Sequence, residues 1–216
     1  NSITNIEIKK VEITKLIYKS NMENKRRIYL DNSATTPTDP RVVDAMLPYF
    51  FEKHGNAASR NHPYGWEAED AVDTAREQIA QLINVEAKEI IFTSGATEAD
   101  NLAIKGVYEM YARKGNHIIT LETEHKAVLD ACKKVEKMGG EVTYLKVKRD
   151  GIVDLAELEA AIQPNTILIS IMFANNEIGV IQPMKEIGQI CEKHGVLFMS
   201  DATQAVGKIP VNPREL

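Results

Sequence analysis

The sequence predicts an α/β fold: a doubly wound, mostly parallel sheet with helices on both faces. Three observations carry that prediction. Short, nearly continuous apolar runs (EIIF, HIIT, TILISIMF and VLFM) recur along the chain, as suits strands buried on both faces. They alternate with longer stretches of helical period. Four of the predicted strands also run directly into polar clusters, at Ser94–Glu98, Thr123–His125, Asn175–Glu177 and Asp201–Gln204. In open α/β sheets ligands bind beyond the carboxyl ends of the strands, so four clusters on that edge would converge on one crevice.

The elements follow in order. Ile28–Leu30 reads as a short strand. Pro40 opens a helix to about Lys53, because proline is tolerated in a first turn, and Pro48 should kink or divide it. Gly55 to Pro63 reads as a loop. Trp66–Leu82 is a long amphipathic helix with Ala68, Ala71, Val72, Ala75, Ile79 and Leu82 on one face. Strands are then predicted at Glu89–Thr93, His117–Leu121, Val142–Val147, Thr166–Phe173 and Val196–Met199. The helices between them are Glu98–Tyr111, Ala127–Met138, Leu155–Ile162 and Met184–His194.

Length and charge bound the function. The 216 residues make one large domain, or one domain and a piece of another, at roughly 150 residues per domain. No run of about 18 apolar residues exists to span a membrane, and no secretory signal is evident. Residues 1–27 carry net charge +4, and the remainder −9. An acidic body argues against direct DNA binding, which needs a basic face. The basic leader contains acids and little serine, unlike a transit peptide. Met22 is a plausible natural start, so residues 1–21 are read as an extension of doubtful nativity. Cys132 and Cys191 match no disulfide framework or zinc spacing; they read as reduced, partly buried thiols of a cytoplasmic protein.

Each polar cluster admits two readings. Ser94–Thr97 follows a strand and opens a helix; its first-turn amides and the hydroxyls of Ser94 and Thr97 would hold a phosphate, or a hydroxyl simply caps the helix. It is no P-loop, lacking Gly-Lys-Ser/Thr. Asp201 is either a local cap or the partner of a protonated ring nitrogen, since a carboxylate at the mouth of a buried strand needs a cation or several donors. Gln204 can donate or accept at the same rim. His125 is an acid/base, a stacking ring or a cap. Asn175-Asn176 is a turn or a source of donors. One ligand fits all four clusters: pyridoxal phosphate, with its phosphate, flat ring, ring nitrogen and ring oxygen. A nicotinamide cofactor fits less well, because no G-x-G-x-x-G follows a strand.

The same segments resemble the cysteine desulfurases of the NifS/IscS group, class V aminotransferases within the fold-type I pyridoxal-phosphate enzymes. The resemblance runs from about Ile28 to Pro213. It includes YLDNSATTP (Tyr29–Pro37), GNAASRNH (Gly55–His62), FTSGATEADNLAIKG (Phe92–Gly106), TEHKAVLDAC (Thr123–Cys132), NNEIGVIQP (Asn175–Pro183) and DATQAVGKIP (Asp201–Pro210). TEHKAV is similar to the NifS/IscS branch rather than the SufS-like one. The resemblance implies that the Ala96 backbone and Thr97 bind the cofactor phosphate, and that His125 stacks on the ring and helps move protons. It implies that Asn176 and Gln204 bond the ring oxygen, that Asn176 also lies near the substrate, and that Asp201 pairs with the ring nitrogen. The implied reaction converts L-cysteine to L-alanine and passes sulfur as an enzyme persulfide. The sulfur goes to an iron–sulfur scaffold or a tRNA-thiolation partner. A homodimer is implied as well.

The resemblance also sets limits. The family's Schiff-base lysine, its persulfide cysteine and the arginine for the substrate carboxylate have no match here. Lys208 aligns with a different lysine, and Cys132 and Cys191 fall in predicted helices. Residues 28–216 are therefore expected to be the N-terminal part of the cofactor-binding large domain, without its remainder or the small C-terminal domain. Such a chain is expected to expose an apolar flank and to be inactive alone. Two other readings stay open: a non-catalytic truncated or split homologue acting with a partner chain, and another fold-type I enzyme such as a selenocysteine lyase or an aminotransferase.

Overall fold

The computed structural model describes residues 28–216. The basic leader and Met22 lie outside the described residues. The chain divides into two compact units at Pro37/Thr38. In the first, residues 28–37 hold a turn closed by the Ala34 and Thr35 amides donating to the Asp31 carbonyl. The strand expected at Ile28–Leu30 is not formed.

The second unit carries the α/β layer. Pro48 does divide its first helical stretch: α1 (Pro40–Met46) ends where α2 (Pro48–Phe51) begins. The long helix α3 starts three residues earlier than expected, at Pro63–Leu82, because the His62 Nδ1 caps it by accepting from the Gly65 amide at 3.2 Å. Then come α4 (Ala96–Tyr111), β1 (His117–Leu121), α5 (Lys126–Lys137), β2 (Glu141–Leu145), α6 (Leu155–Ala160), β3 (Thr166–Ser170), α7 (Met184–His194) and β4 (Leu197–Met199).

Among the described residues the four strands form one all-parallel sheet in the order β2-β1-β3-β4. The central strands β1 and β3 are buried along their whole length, whereas β2 and β4 are partly open. Both faces of the centre are covered, as the apolar runs required. On one face Ile104 of α4 and Val128, Ala131, Cys132 and Val135 of α5 pack on Ile118 and Leu168. On the other, Leu158 of α6 and Met184, Ile187 and Cys191 of α7 pack on Ile119, Ile169 and Ile171. At the amino edge of the sheet His117 ties three strands together. Its ring nitrogens meet Thr166 Oγ1 at 2.7 Å and Thr143 Oγ1 at 2.8 Å, and burial pushes its pKa down, so it is a neutral structural histidine.

The strand expected at Glu89–Thr93 is absent. A 3₁₀ turn at Ala87–Glu89, closed by a capping box between Glu86 and Glu89, runs into extended chain with Ile91 73% exposed. Arg76 holds that chain by donating to the Ile90 carbonyl and by lying over the Phe92 ring at 4.8 Å. Composition alone made EIIF a strand, but a strand needs a ladder partner, and none of the described strands lies beside it. Phe50, Phe51 and Met110 are also largely exposed.

This contrast between buried and exposed isoleucines makes a test. Ile169→Ala, in a fully buried site, is expected to cost about 2–5 kcal/mol of stability. Ile91→Ala is expected to stay within about 0.5 kcal/mol. Urea denaturation of both variants measures the difference; equal losses would contradict the core described above.

Candidate functional site

The parallel sheet delivers three of the polar clusters to one edge. β1 leads to Thr123–His125, β3 to Asn175–Glu177 and β4 to Asp201–Gln204. The fourth cluster, Ser94–Glu98, arrives without a strand; α4 carries it, and α4 packs against α5 and β3.

At α4 the cap position is Gly95, which offers no side-chain cap. The amides of Ala96 and Thr97 thus open the helix without the competing hydroxyl that the capping reading required. Ser94 is engaged elsewhere. Its amide and hydroxyl both donate to Glu98 Oε2, at 2.7 and 2.5 Å, which holds the Glu98 carboxyl below its ordinary range. The Ser94 hydroxyl expected at a phosphate is therefore committed to Glu98, while Ala96 and Thr97 are exposed.

His125 is the N-cap of α5, its Nδ1 accepting from the Ala127 amide at 3.2 Å. The remainder of its ring is exposed at the edge. Of the two asparagines, Asn175 makes the turn. It is buried, its Oδ1 accepts from the Glu177 and Ile178 amides at 2.8 and 3.0 Å, and its Nδ2 donates to the Thr123 carbonyl at 2.9 Å. Asn176 is left half-buried at the rim, donating to Glu177 at 3.0 Å. Gly179, at φ 71°, supplies the left-handed residue that closes the loop.

Asp201 continues the β3–β4 ladder past the strand ends. The Ile171 amide donates to Met199 and the Phe173 amide to the Asp201 carbonyl, at 3.1 and 2.9 Å. Asp201 is 8% exposed, and its carboxyl accepts from the Thr203 amide at 3.0 Å. Gln204, one helical turn before Lys208, accepts from the Lys208 ammonium.

The edge is strongly acidic, and two of its carboxyls had no role in the sequence reading. Asp100, on α4, is buried beside Asp201 and His125. Burial first, and the negative charge of Asp201 second, push its pKa up to about 6 against the lowering influence of His125. Glu124 is buried too; burial, with Asp201 and Asp100 as further negative charges, drives it up to about 8, although the Met172 amide donates to its Oε1 at 2.9 Å. Asp100 was detectable in principle, because helical spacing puts it one turn before Ile104 on the stripe that faces the sheet. For Glu124 and Asn175 the decisive partners are the Met172 amide and the Thr123 carbonyl, about fifty residues away, and no local signal existed.

Since α4 carries Asp100 and Thr97 one turn apart, and Asp100 senses both Asp201 and His125, three of the clusters meet at one place; the fourth is tied to them through Asn175, which bonds the Thr123 carbonyl. A parallel α/β sheet with helices on both faces, and with a helix N-terminus, a histidine and a buried aspartate beyond its carboxyl edge, has the layer of the fold-type I enzymes. The chain belongs to the aminotransferase class-V family, whose model matches residues 28–216. It is similar to a Cysteine desulfurase IscS of Rickettsia bellii, 60% identical over 188 residues covering 87% of this chain and 46% of the relative. Among solved structures it superposes on a NifS-like protein with TM-score 0.85 at 42% identity, covering 88% of this chain and 52% of the other. It also superposes on SspA in complex with cysteine, with TM-score 0.84 at 37% identity, covering 88% and 54%. The chain spans about half the length of the curated relatives it matches.

Class-V aminotransferases depend on pyridoxal phosphate as a group, and the donor set can be tested against it. Asp201 has one backbone donor and two carboxyl neighbours rather than a cation, so a protonated ring nitrogen would relieve a buried charge. The uncapped turn at Ala96–Thr97 suits a phosphate. The residues fit the group.

The loop clamp gives a second test. Asn175→Ala is expected to cost about 1–3 kcal/mol, since it strands buried donors and acceptors, whereas Asn176→Ala should remain within about 0.5 kcal/mol. Matching urea midpoints for the two variants would contradict the division of labour between these neighbours.

Proposed function

We propose that this chain supplies most of the cofactor cradle of a pyridoxal-phosphate-dependent cysteine desulfurase, residues 28–216 being the N-terminal part of its large domain. The observation that carries the reading is Asp201: a buried residue whose carboxyl accepts from the Thr203 amide and lies within electrostatic reach of Asp100 on α4, which also senses His125. The family match and the likeness to IscS, NifS-like and cysteine-bound proteins support the substrate class.

In this reading the Ala96 amide and Thr97 hold the phosphate, at a helix end whose dipole favours anions. His125 lies against the ring and exchanges protons at its face. Asn176 and Gln204 donate to the ring oxygen, and Asn176 reaches the substrate. Asp201 holds the proton on the ring nitrogen. Pyridoxal phosphate, when bound, supplies the electron sink for breaking bonds at the substrate α-carbon.

L-cysteine is the substrate and L-alanine the product. The sulfur leaves as a persulfide on a cysteine, for an iron–sulfur scaffold or a tRNA-thiolation partner. Neither cysteine in hand suits that role. Cys132 and Cys191 are buried in α5 and α7, and burial first among the causes pushes their thiols up to about 12 and about 11, far from the thiolate that sulfur transfer needs. The family resemblance assigns the anchoring lysine and the sulfur-accepting cysteine outside these residues, and the working enzyme to a cytoplasmic homodimer.

Binding and turnover test the reading separately. The 216-residue chain should bind pyridoxal phosphate reversibly. Asp201→Ala and Thr97→Ala should each weaken that binding by about 10-fold or more, and Lys137→Ala should leave it unchanged. Titration followed by cofactor absorbance reports this; equal affinities for wild type and Asp201→Ala would sink the cradle. With L-cysteine added, sulfide release should not exceed that from free cofactor. Release above that background would overturn the placement of lysine and thiol elsewhere.

A further inference from the structure

Asn176 sits on a hairpin that neighbouring segments hold from both sides. Residues 173–182 fold back on themselves: the Gln182 amide donates to the Phe173 carbonyl at 3.0 Å, and the Asn175 amide to the Val180 carbonyl at 2.9 Å. Ala174 and Ile181 form an antiparallel bridge between those bonds. On one side the Phe173 amide donates to the Asp201 carbonyl and Asn175 Nδ2 to the Thr123 carbonyl. On the other side lies a second hairpin, residues 147–153 between β2 and α6, with its own antiparallel bridge from Val147 to Val153.

Gln182 joins the two hairpins. It is 4% exposed. Its Oε1 accepts from the Val153 amide at 3.0 Å, and its Nε2 donates to the Gly151 carbonyl at 2.8 Å. A carbonyl and an amide two residues apart are the pair that a neighbouring parallel strand engages, so the side-chain amide takes the part of a strand's peptide group. Gly151 makes the close approach possible. It is buried at φ 82°, and a Cβ there would lie 2.8 Å from Val180 Cγ2 and 3.0 Å from Ile178 Cδ1. Any other residue would be strained in that backbone conformation and would press on the hairpin that carries Asn176.

We propose that Gln182 is a positioning residue: together with Gly151 it locks the Asn176 hairpin to the β2–α6 connection, and so sets where Asn176 stands relative to Asp201. The inference rests on the cradle reading above and adds a residue whose effect on the ligand passes through Asn176. Asn176 is half-buried and bonds its neighbour Glu177, so its place follows that of the hairpin. A drift of about 1 Å is enough to lose a hydrogen bond to a ligand. Without the Gln182 amide, the buried Gly151 carbonyl and Val153 amide would each lose a partner, and the hairpin its hold on that side.

Hydrogen exchange and cofactor affinity test the lock in turn. On the wild-type chain the Gln182 side-chain amide should exchange at least about tenfold more slowly than that of Gln81, which is exposed on α3. That measurement stands even if a variant fails to fold. Gln182→Met keeps the length of the side chain and removes both bonds. It should speed exchange at the Asn175, Gly179 and Gln182 backbone amides by about tenfold or more and leave those of β1 unchanged. Gly151→Ala should loosen the same amides from the other hairpin. Pyridoxal phosphate titrated into the folded chains should bind about tenfold more weakly to Gln182→Met than to wild type. In an Asn176→Ala background the same substitution should change affinity by less than about twofold, whereas in a Thr97→Ala background it should keep its full effect. A clamp that served stability alone would move the exchange and leave the affinity where it was.

Fast exchange of the wild-type Gln182 side-chain amide, unchanged hairpin exchange in Gln182→Met, or equal cofactor affinity in Gln182→Met and wild type overturns the proposal. So does a full loss of affinity in the Asn176→Ala background. With wild-type binding intact, each of these results spares the cradle. Failure of the wild-type chain to bind pyridoxal phosphate, with the hairpin loosened by Gln182→Met, overturns the cradle instead and supports the lock.

Discussion

Parallel pairing is the constraint on which the rest depends. In an all-parallel sheet every strand leaves at the same edge, so each connection must begin there and return by a crossover. The order β2-β1-β3-β4 therefore stacks the loops after β1, β3 and β4 side by side without any loop being designed for proximity. The ladder continues past the named strands, through Ile171 to Met199 and Phe173 to Asp201. Those two bonds set the depth of Asp201. Its burial follows from backbone pairing, and the carboxylate inherits an environment that its own side chain would not select.

Three carboxyls in that environment are a cost to folding, and the fold answers it unevenly. Asp201 receives the Thr203 amide and Glu124 the Met172 amide, while one oxygen of Asp100 and one of Glu124 receive nothing. At the opposite edge of the same sheet the comparable polar group is fully matched, because His117 has a threonine for each ring nitrogen. The contrast separates two uses of buried polarity. A satisfied network fixes strand register and stays inert, whereas an unsatisfied one leaves binding energy available to a ligand or a proton.

The helices were legible because their evidence is local. The predicted range Met184–His194 matches α7 residue for residue, and Pro48 marked the break between α1 and α2. The central strands were legible because burial on both faces writes an uninterrupted apolar run. EIIF and Ile28–Leu30 wrote similar runs and formed no strand, since pairing is a property of two segments and composition describes one. Of the site, the segments were readable but their hydrogen-bond roles were not. Asn175 and Asn176 are chemically identical neighbours, and the loop amides of Glu177 and Ile178 together with the distant Thr123 carbonyl make the first a clamp, while the second is left at the rim. Glu124 reads in sequence as an acid beside a histidine; the Met172 amide, forty-eight positions away, turns it inward.

In the proposed cradle, His125 would combine a structural role with a chemical one. A ring that lies flat against a ligand must hold its orientation before the ligand arrives, and a freely rotating exposed imidazole would lose rotamer freedom on binding. Capping α5 fixes the ring in advance, because Nδ1 must face the Ala127 amide. The same bond leaves Nε2 as the position that carries the proton in the neutral form. The histidine lies within electrostatic reach of Asp100. The cap thus determines which face of the histidine is offered and which atom can give or take a proton, two things that a proton-transfer role demands and that a cap seen in isolation would not explain.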